Sequence, residues 1–219
     1  YMAISVGNAT KLKFDDYFVQ EGLAFRFTPF NYKKWGDAEG DNGYAIDTEK
    51  FYENVMNRYK YGGLDTPGLY LDETTMRICY SHRRLFAQLA KELVKQGDNA
   101  RAQKVLAYAE QAIPAYNVPQ VYESGSYEIA TAYASIGETG KAITLLNDLI
   151  AESRDYIDWA FSLGDSRIEM VQRDCLYKFW QWNQCNELLK DMDKERYKQS
   201  NQQFEEKYMR LAQLMNYQN

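Results

Sequence analysis

Reactive side chains are scarce in this sequence. One histidine, His82, and three cysteines, Cys79, Cys175 and Cys185, are all that 219 residues supply for imidazole or thiolate chemistry. No two cysteines form a CxxC pair, which argues against a zinc or redox site. There is no GxGxxG and no GxxxxGK, so no loop is built to cradle phosphates. There is no run of about 18 apolar residues, the length that a helix needs to span a bilayer. A basic excess is also missing. Lys and Arg number 26 against 31 Asp and Glu, a net charge of −5, and the two signs are interleaved. Phosphate neutralisation needs a basic face, so nucleic acid is a poor partner. Neither a basic leader nor a signal-peptide cleavage pattern precedes the apolar run Tyr1-Met2-Ala3-Ile4-Ser5-Val6. A chain that opens inside such a strand-like run reads as a piece of a longer protein.

What is present is apolar and aromatic. Hydrophobic residues make up 45% and aromatics 15%, led by 19 tyrosines, enough to form a core. The most informative pattern is a repeat at an offset of about 40 residues. Phe86, Leu89, Ala90, Leu93, Gly97, Ala102, Val105, Leu106 and Ala109 recur as Ser126, Ile129, Ala130, Tyr133, Gly137, Ala142, Leu145, Leu146 and Leu149. Only Phe86 and Ser126 differ in character. Each unit reads as a helix, a turn at glycine and a second helix. Such a hairpin cannot bury its apolar stripe alone and must stack on neighbours. Phe86, Leu89-Ala90, Leu93, Gly97, Ala102, Leu106, Ala109 and Pro114 match the offsets of the tetratricopeptide consensus in one register. Ala90 and Ala102 then stand where two helix backbones approach closely, and a longer side chain there overpacks by about 1–3 kcal/mol. The second unit lacks the first large residue and carries Arg154 in place of the proline.

The remaining elements follow from periodicity and punctuation. Tyr1–Val6 and Leu23–Phe27 read as two strands, the second ended by Pro29. Phe14–Phe18 is a short helical or turn segment, and 31–43 is a glycine-punctuated loop. Asp47 caps a helix over 48–59, ended by Gly62-Gly63, and Asp72 caps one running to Gln96. Residues 99–113 form its partner. The second hairpin spans about 121–136 and 139–163. Asp165 or Ser166 caps a long helix marked by Ile168, Val171, Cys175, Phe179 and Trp182 and reaching about Leu189. Cys175 and Cys185 lie about 280° apart on it and cannot bridge each other, so buried, apolar roles suit the cysteines. A last helix, 194–216, carries Phe204, Tyr208, Leu211 and Met215 and serves as a solvated cap. The fold class is therefore mainly α, a tetratricopeptide-like hairpin array over 71–219 with a small α+β portion over 1–70.

Candidate chemistry is thin. His82 stands beside Arg83 and Arg84, which disfavour its protonated form, and neither Cys79 nor Ser81 is spaced to form a relay with it on one helix. Asp37-Ala38-Glu39-Gly40-Asp41-Asn42-Gly43 alternates carboxylates, but Asn42 and Thr48 stand where a calcium loop needs Gly and Glu. A solvated acidic loop fits better, and no metal or cofactor is expected. In stacked hairpins the first helix of each unit lines the concave face. Arg84, Ala87, Lys91 and Val94 would face it from one unit, and Ser124, Tyr127, Thr131 and Ala134 from the other. Arg84 and Lys91 suit an acidic peptide group; a solvated helix face is the alternative. Phe14, Tyr17, Phe18, Phe25, Phe27, Phe30, Tyr32 and Trp35 fit either a small core under the two strands or a sugar-stacking platform, and Trp35, between Lys34 and Gly36, is the one that reads as exposed.

Tyr1-Met2-Ala3-Ile4, the run Asp16-Tyr17-Phe18-Val19-Gln20-Glu21-Gly22-Leu23-Ala24-Phe25-Arg26, and Tyr70-Leu71-Asp72-Glu73 with Met76-Arg77 resemble one family. It comprises the C-terminal soluble region of Bacteroidetes multi-pass membrane proteins of unknown function, related to protein O-mannosyltransferases of the GT-C type. The resemblance is clearest over 1–30 and 70–115. It implies a domain on the periplasmic side, downstream of a membrane-embedded part that holds the catalytic acids, so no catalytic residue carries over to this chain. In that compartment the three cysteines must all be buried. The function expected is a non-catalytic module for a protein or polypeptide partner. A carbohydrate-binding accessory domain, taking a glycan through Trp35, and a purely structural or oligomerisation domain are the alternatives.

Overall fold

The computed structural model describes residues 1–6, 14–31, 44–164 and 167–216. They form seven α-helices and a small four-stranded sheet. The chain divides into two compact units, Tyr1–Val118 and Pro119–Asn219. Residue 70 lies inside the first. The loop over 37–43, Trp35 and the cap positions Asp165 and Ser166 lie outside the described residues.

In the first unit, β1 (Met2–Ala3), β2 (Phe18–Gln20), β3 (Ala24–Phe27) and β4 (Ala45–Ile46) pair in the order β1-β3-β2-β4. β3 is antiparallel to both β1 and β2, with Gln20 opposite Phe25, while β4 joins β2 in parallel. Two strands were expected and four are found. The strand read over 1–6 is regular only at 2–3, with the Ile4 amide also donating to the Leu23 carbonyl at 3.0 Å. β2 and β4 escaped because two or three residues are too short to show a two-residue alternation. Residues 15–17 do form a single 3-10 turn. Next comes α1 (Thr48–Glu53), which packs on the helix after it and is capped as expected by Asp47, whose carboxylate accepts from the Lys50 amide at 3.1 Å. The helix expected to continue to 59 instead widens into a π-turn over Asn54–Arg58. That extra residue per turn lets Asn54 donate to the Glu21 carbonyl at 2.7 Å and brings Tyr59 to the β2–β3 turn, where its hydroxyl accepts from the Leu23 amide at 2.9 Å.

The first hairpin follows. In α2 (Glu73–Lys95) the Asp72 cap accepts from the Thr75 amide at 2.8 Å, and in α3 (Asn99–Ala112) Asp98 caps in the same way. Between them Gly97 has φ +77°, and the Asp98 amide donates to the Leu93 carbonyl. Phe86, Leu89, Ala90, Leu93, Ala102, Val105 and Leu106 are wholly buried, and α2 packs on α3, so the two alanines lie in the closed hairpin interior. Arg83 points the same way. It is 2% exposed and donates to the carbonyls of Ile113 (3.2 Å) and Val118 (2.6 Å), binding the segment after α3 to α2. Burial pulls its pKa down to about 10.

The second unit opens with a 3-10 turn over Tyr122–Ser124, so α4 starts at Ser126 rather than near 121. Linked hydroxyls of Ser124 and Ser126 and Gly125 at φ +84° set that start. α4 (Ser126–Ser135) and α5 (Thr139–Ser162) repeat the hairpin geometry: Gly137 has φ +85°, and the Glu138 amide donates to the Tyr133 carbonyl. This is the Gly97 bond set displaced by forty residues, a Schellman-type end that needs a left-handed residue. A 3-10 turn over Ile168–Val171 precedes α6 (Gln172–Met192), and α7 (Lys194–Asn216) follows. Cys175, Phe179, Trp182, Cys185 and Leu189 form the buried stripe of α6. The Trp182 indole donates to the Ser200 hydroxyl (2.7 Å), which donates to the Asn186 side chain (2.6 Å), fixing α7 on α6.

Candidate functional site

The five residues expected to make contacts fall in different places. Arg84 is exposed on α2 and donates to the Ser81 hydroxyl at 3.1 Å. Two turns on, Lys91 is half-buried. Tyr127 is half-buried on α4, and the Thr131 hydroxyl donates back to the Tyr127 carbonyl at 3.0 Å, so its proton is used within its own helix. Trp35 lies outside the described residues. Of the accompanying groove positions, Ala87 is 2% exposed and Ser124 is fully buried. Neither presents surface, because Ala87 belongs to the packed side of α2 and Ser124 to the turn before α4. Val94 and Ala134 are half-open.

Arg84 also borders a cleft of about 770 Å³ in the first unit, between α2 and the sheet. Its walls include Gln20, Phe25, His82 and Gln88. Gln20 and Gln88 exchange reciprocal amide hydrogen bonds of 2.9 and 2.8 Å, tying β2 to α2 across the floor. Ring edges of Tyr59 and Tyr61 stand against His82 at 6.2 and 5.5 Å. Its pKa is lowered as expected, but the cause is burial rather than repulsion from Arg83 and Arg84. Among the described residues the His82 Nδ1 has no hydrogen-bond partner to orient the ring, which suits packing better than proton transfer. Among the described residues no three His, Cys, Asp or Glu side chains are placed to hold a metal ion.

All three cysteines are buried, as their apolar reading implies, and none is bridged. Burial raises each thiol, that of Cys185 to about 12.

In the second unit Tyr127 belongs to a larger group that the periodicity did not single out. It stacks on Tyr122 at 5.2 Å; Tyr122 meets the Trp180 ring edge-on at 5.3 Å; Tyr177 stacks on Trp180 at 5.5 Å. The usable signal was that Tyr177 and Trp180 stand three residues apart, off the Cys175–Phe179–Trp182 stripe. Large aromatics that miss the core stripe of an amphipathic helix face outward. That Tyr122 would complete the row depends on how its turn folds.

The chain matches no protein-family model, no curated protein and no solved structure. No helix among the described residues is long and apolar enough to cross a membrane.

Proposed function

We propose that this chain is a non-catalytic module that binds an extended polypeptide, the C-terminal domain of a membrane glycosyltransferase-like protein on the periplasmic side. The observation that carries the binding role is a shared opening in the two hairpins. Lys91 and Val94 on α2 and their repeat equivalents Thr131 and Ala134 on α4 are all half-exposed, while the intervening residues of both helices are packed. Equivalent positions left open in both repeats are the positions that hairpin arrays use for partners. On α2 this face is cationic through Arg84 and Lys91, which suits a carboxylate-bearing segment. The membrane context rests on the sequence resemblance. Burial of all three thiols meets the condition that an oxidising compartment sets.

A labelled peptide rich in Asp and Glu, titrated by fluorescence polarisation, tests this reading. Two surface charge pairs are worth about 0.5–1 kcal/mol each. Reversal in Arg84→Glu/Lys91→Glu adds repulsion, so affinity falls by about tenfold or more. An unchanged dissociation constant removes the α2 face as the binding surface.

A further inference from the structure

The aromatic row of the second unit lacks a covering that four rings elsewhere have. Elsewhere the chain supplies its own cation to aromatic faces: Lys141 over Tyr133 at 5.0 Å, Lys190 over Tyr197 at 5.7 Å, Arg210 over Phe161 at 4.5 Å and Arg101 over Tyr52 at 5.4 Å. Among the described residues no cation lies over Tyr122, Tyr127, Tyr177 or Trp180. Yet Tyr177 and Trp180 are 46% and 47% exposed. Lys178, their neighbour on α6, is engaged elsewhere, by Glu152 at 2.9 Å and Glu123 at 3.4 Å. Glu128 on α4 is exposed and close enough to the row to push both the Tyr122 and Tyr127 phenols up, after the larger effect of their burial.

Four electron-rich rings in contact, with an acidic group near two of them and no cation over their faces among the described residues, attract positive charge. Ring quadrupoles favour a cation over their faces, Trp most strongly, and the carboxylate adds to that field. An apolar guest would gain from the ring area but nothing from Glu128. We propose that the Tyr127–Tyr122–Trp180–Tyr177 row, with Glu128, receives a lysine or arginine side chain of an extended polypeptide. This rests on the polypeptide-binding reading and adds the chemistry of a second contact. It does not depend on Arg84 or Lys91, which would hold groups of opposite charge.

The test is a polarisation titration of the intact chain with a fluorescent Gly-Gly-Lys-Gly-Lys-Gly-Gly peptide, its trimethyl-lysine form and its norleucine form. Norleucine keeps the aliphatic stem and drops the charge. The expected result is binding of both charged forms, with the norleucine peptide about tenfold weaker or worse. Trp180→Ala and Tyr177→Ala should each weaken the charged peptides about three- to fivefold, the weight of one exposed cation–π contact. Glu128→Gln should weaken them by a similar factor and flatten the salt dependence. Trp180→Phe should recover part of the loss, and helical circular dichroism should match the parent for every variant. Loss of acidic-peptide binding in Arg84→Glu/Lys91→Glu bears on the α2 face, and loss of lysine-peptide binding in Trp180→Ala bears on this row, so the two failures are separate results. Equal binding of the norleucine peptide overturns the proposal, as does no binding of either charged form. A mannose oligosaccharide that binds through Trp180 while the peptides do not also overturns it. So does self-association in sedimentation that Trp180→Ala abolishes without any peptide binding.

Discussion

Replacing Gly22 by alanine tests the join between the sheet and the π-turn. Gly22 makes the β2–β3 turn with φ +110°, and a Cβ built on it would lie 2.5 Å from the Tyr59 hydroxyl oxygen. Two costs follow. A non-glycine residue held at such a dihedral costs about 1–3 kcal/mol. The methyl group must also displace the Tyr59 ring end, which breaks the 2.9 Å hydrogen bond from the Leu23 amide, worth about 0.5–1.5 kcal/mol. Gly22→Ala should therefore destabilise the first unit by about 2–4 kcal/mol. Tyr59→Phe removes only the acceptor and should cost about 1 kcal/mol. In the double variant the hydrogen bond is lost once rather than twice and the shorter ring relieves the clash, so the sum of the single costs should exceed the double cost by about 1 kcal/mol. Urea unfolding followed by circular dichroism measures the cycle, and amide exchange at Leu23 reports the hydrogen bond directly. A Gly22→Ala variant within about 0.5 kcal/mol of the parent, or a double variant whose cost is the simple sum, would refute the reasoning.

Two further predictions concern the same unit. Arg83→Met keeps much of the buried volume but leaves the Ile113 and Val118 carbonyls without that donor, at about 1–3 kcal/mol each. The melting temperature should fall by several degrees, and a variant as stable as the parent would show that those carbonyls find other donors. Burial pushes the Glu21 carboxyl up, but hydrogen bonds and charge from Arg26 and Lys50 outweigh it and leave its pKa below the ordinary glutamate value. A carboxyl lowered in the folded state contributes stability that is fully present above its unfolded pKa, about 4.3, and lost as pH falls through the folded value. Stability should decline through that acidic window, and Glu21→Gln should flatten the decline; an identical pH profile for the variant counts against the Arg26–Glu21–Lys50 cluster.

Local signals carried much of the helical part. Asp47 and Asp72 cap the helices they precede because one carboxylate reaches an amide three residues on, wherever the helix later packs. Gly97 and Gly137 end theirs because a left-handed residue is needed at that point. The 3.6-residue spacing of Phe86, Leu89, Ala90 and Leu93 marked the buried face correctly. Groove positions were legible only in part. Spacing placed Ala87 and Ser124 on the open side, but which side of a helix is covered depends on what packs against it. Nothing in the order of residues announced β4, since a two-residue strand exists only through its partner Val19 and its neighbour in β2.

The sequence by itself therefore determined where the first hairpin begins and where both hairpins turn and nest, because caps, glycine ends and small residues act over a few positions. The tertiary structure alone decided that Tyr59 would close on Gly22, that Arg83 would reach two carbonyls thirty and thirty-five residues away, and that Tyr122 would meet Trp180. Those contacts join segments distant along the chain, and their partners are set by the path of the backbone rather than by any local preference.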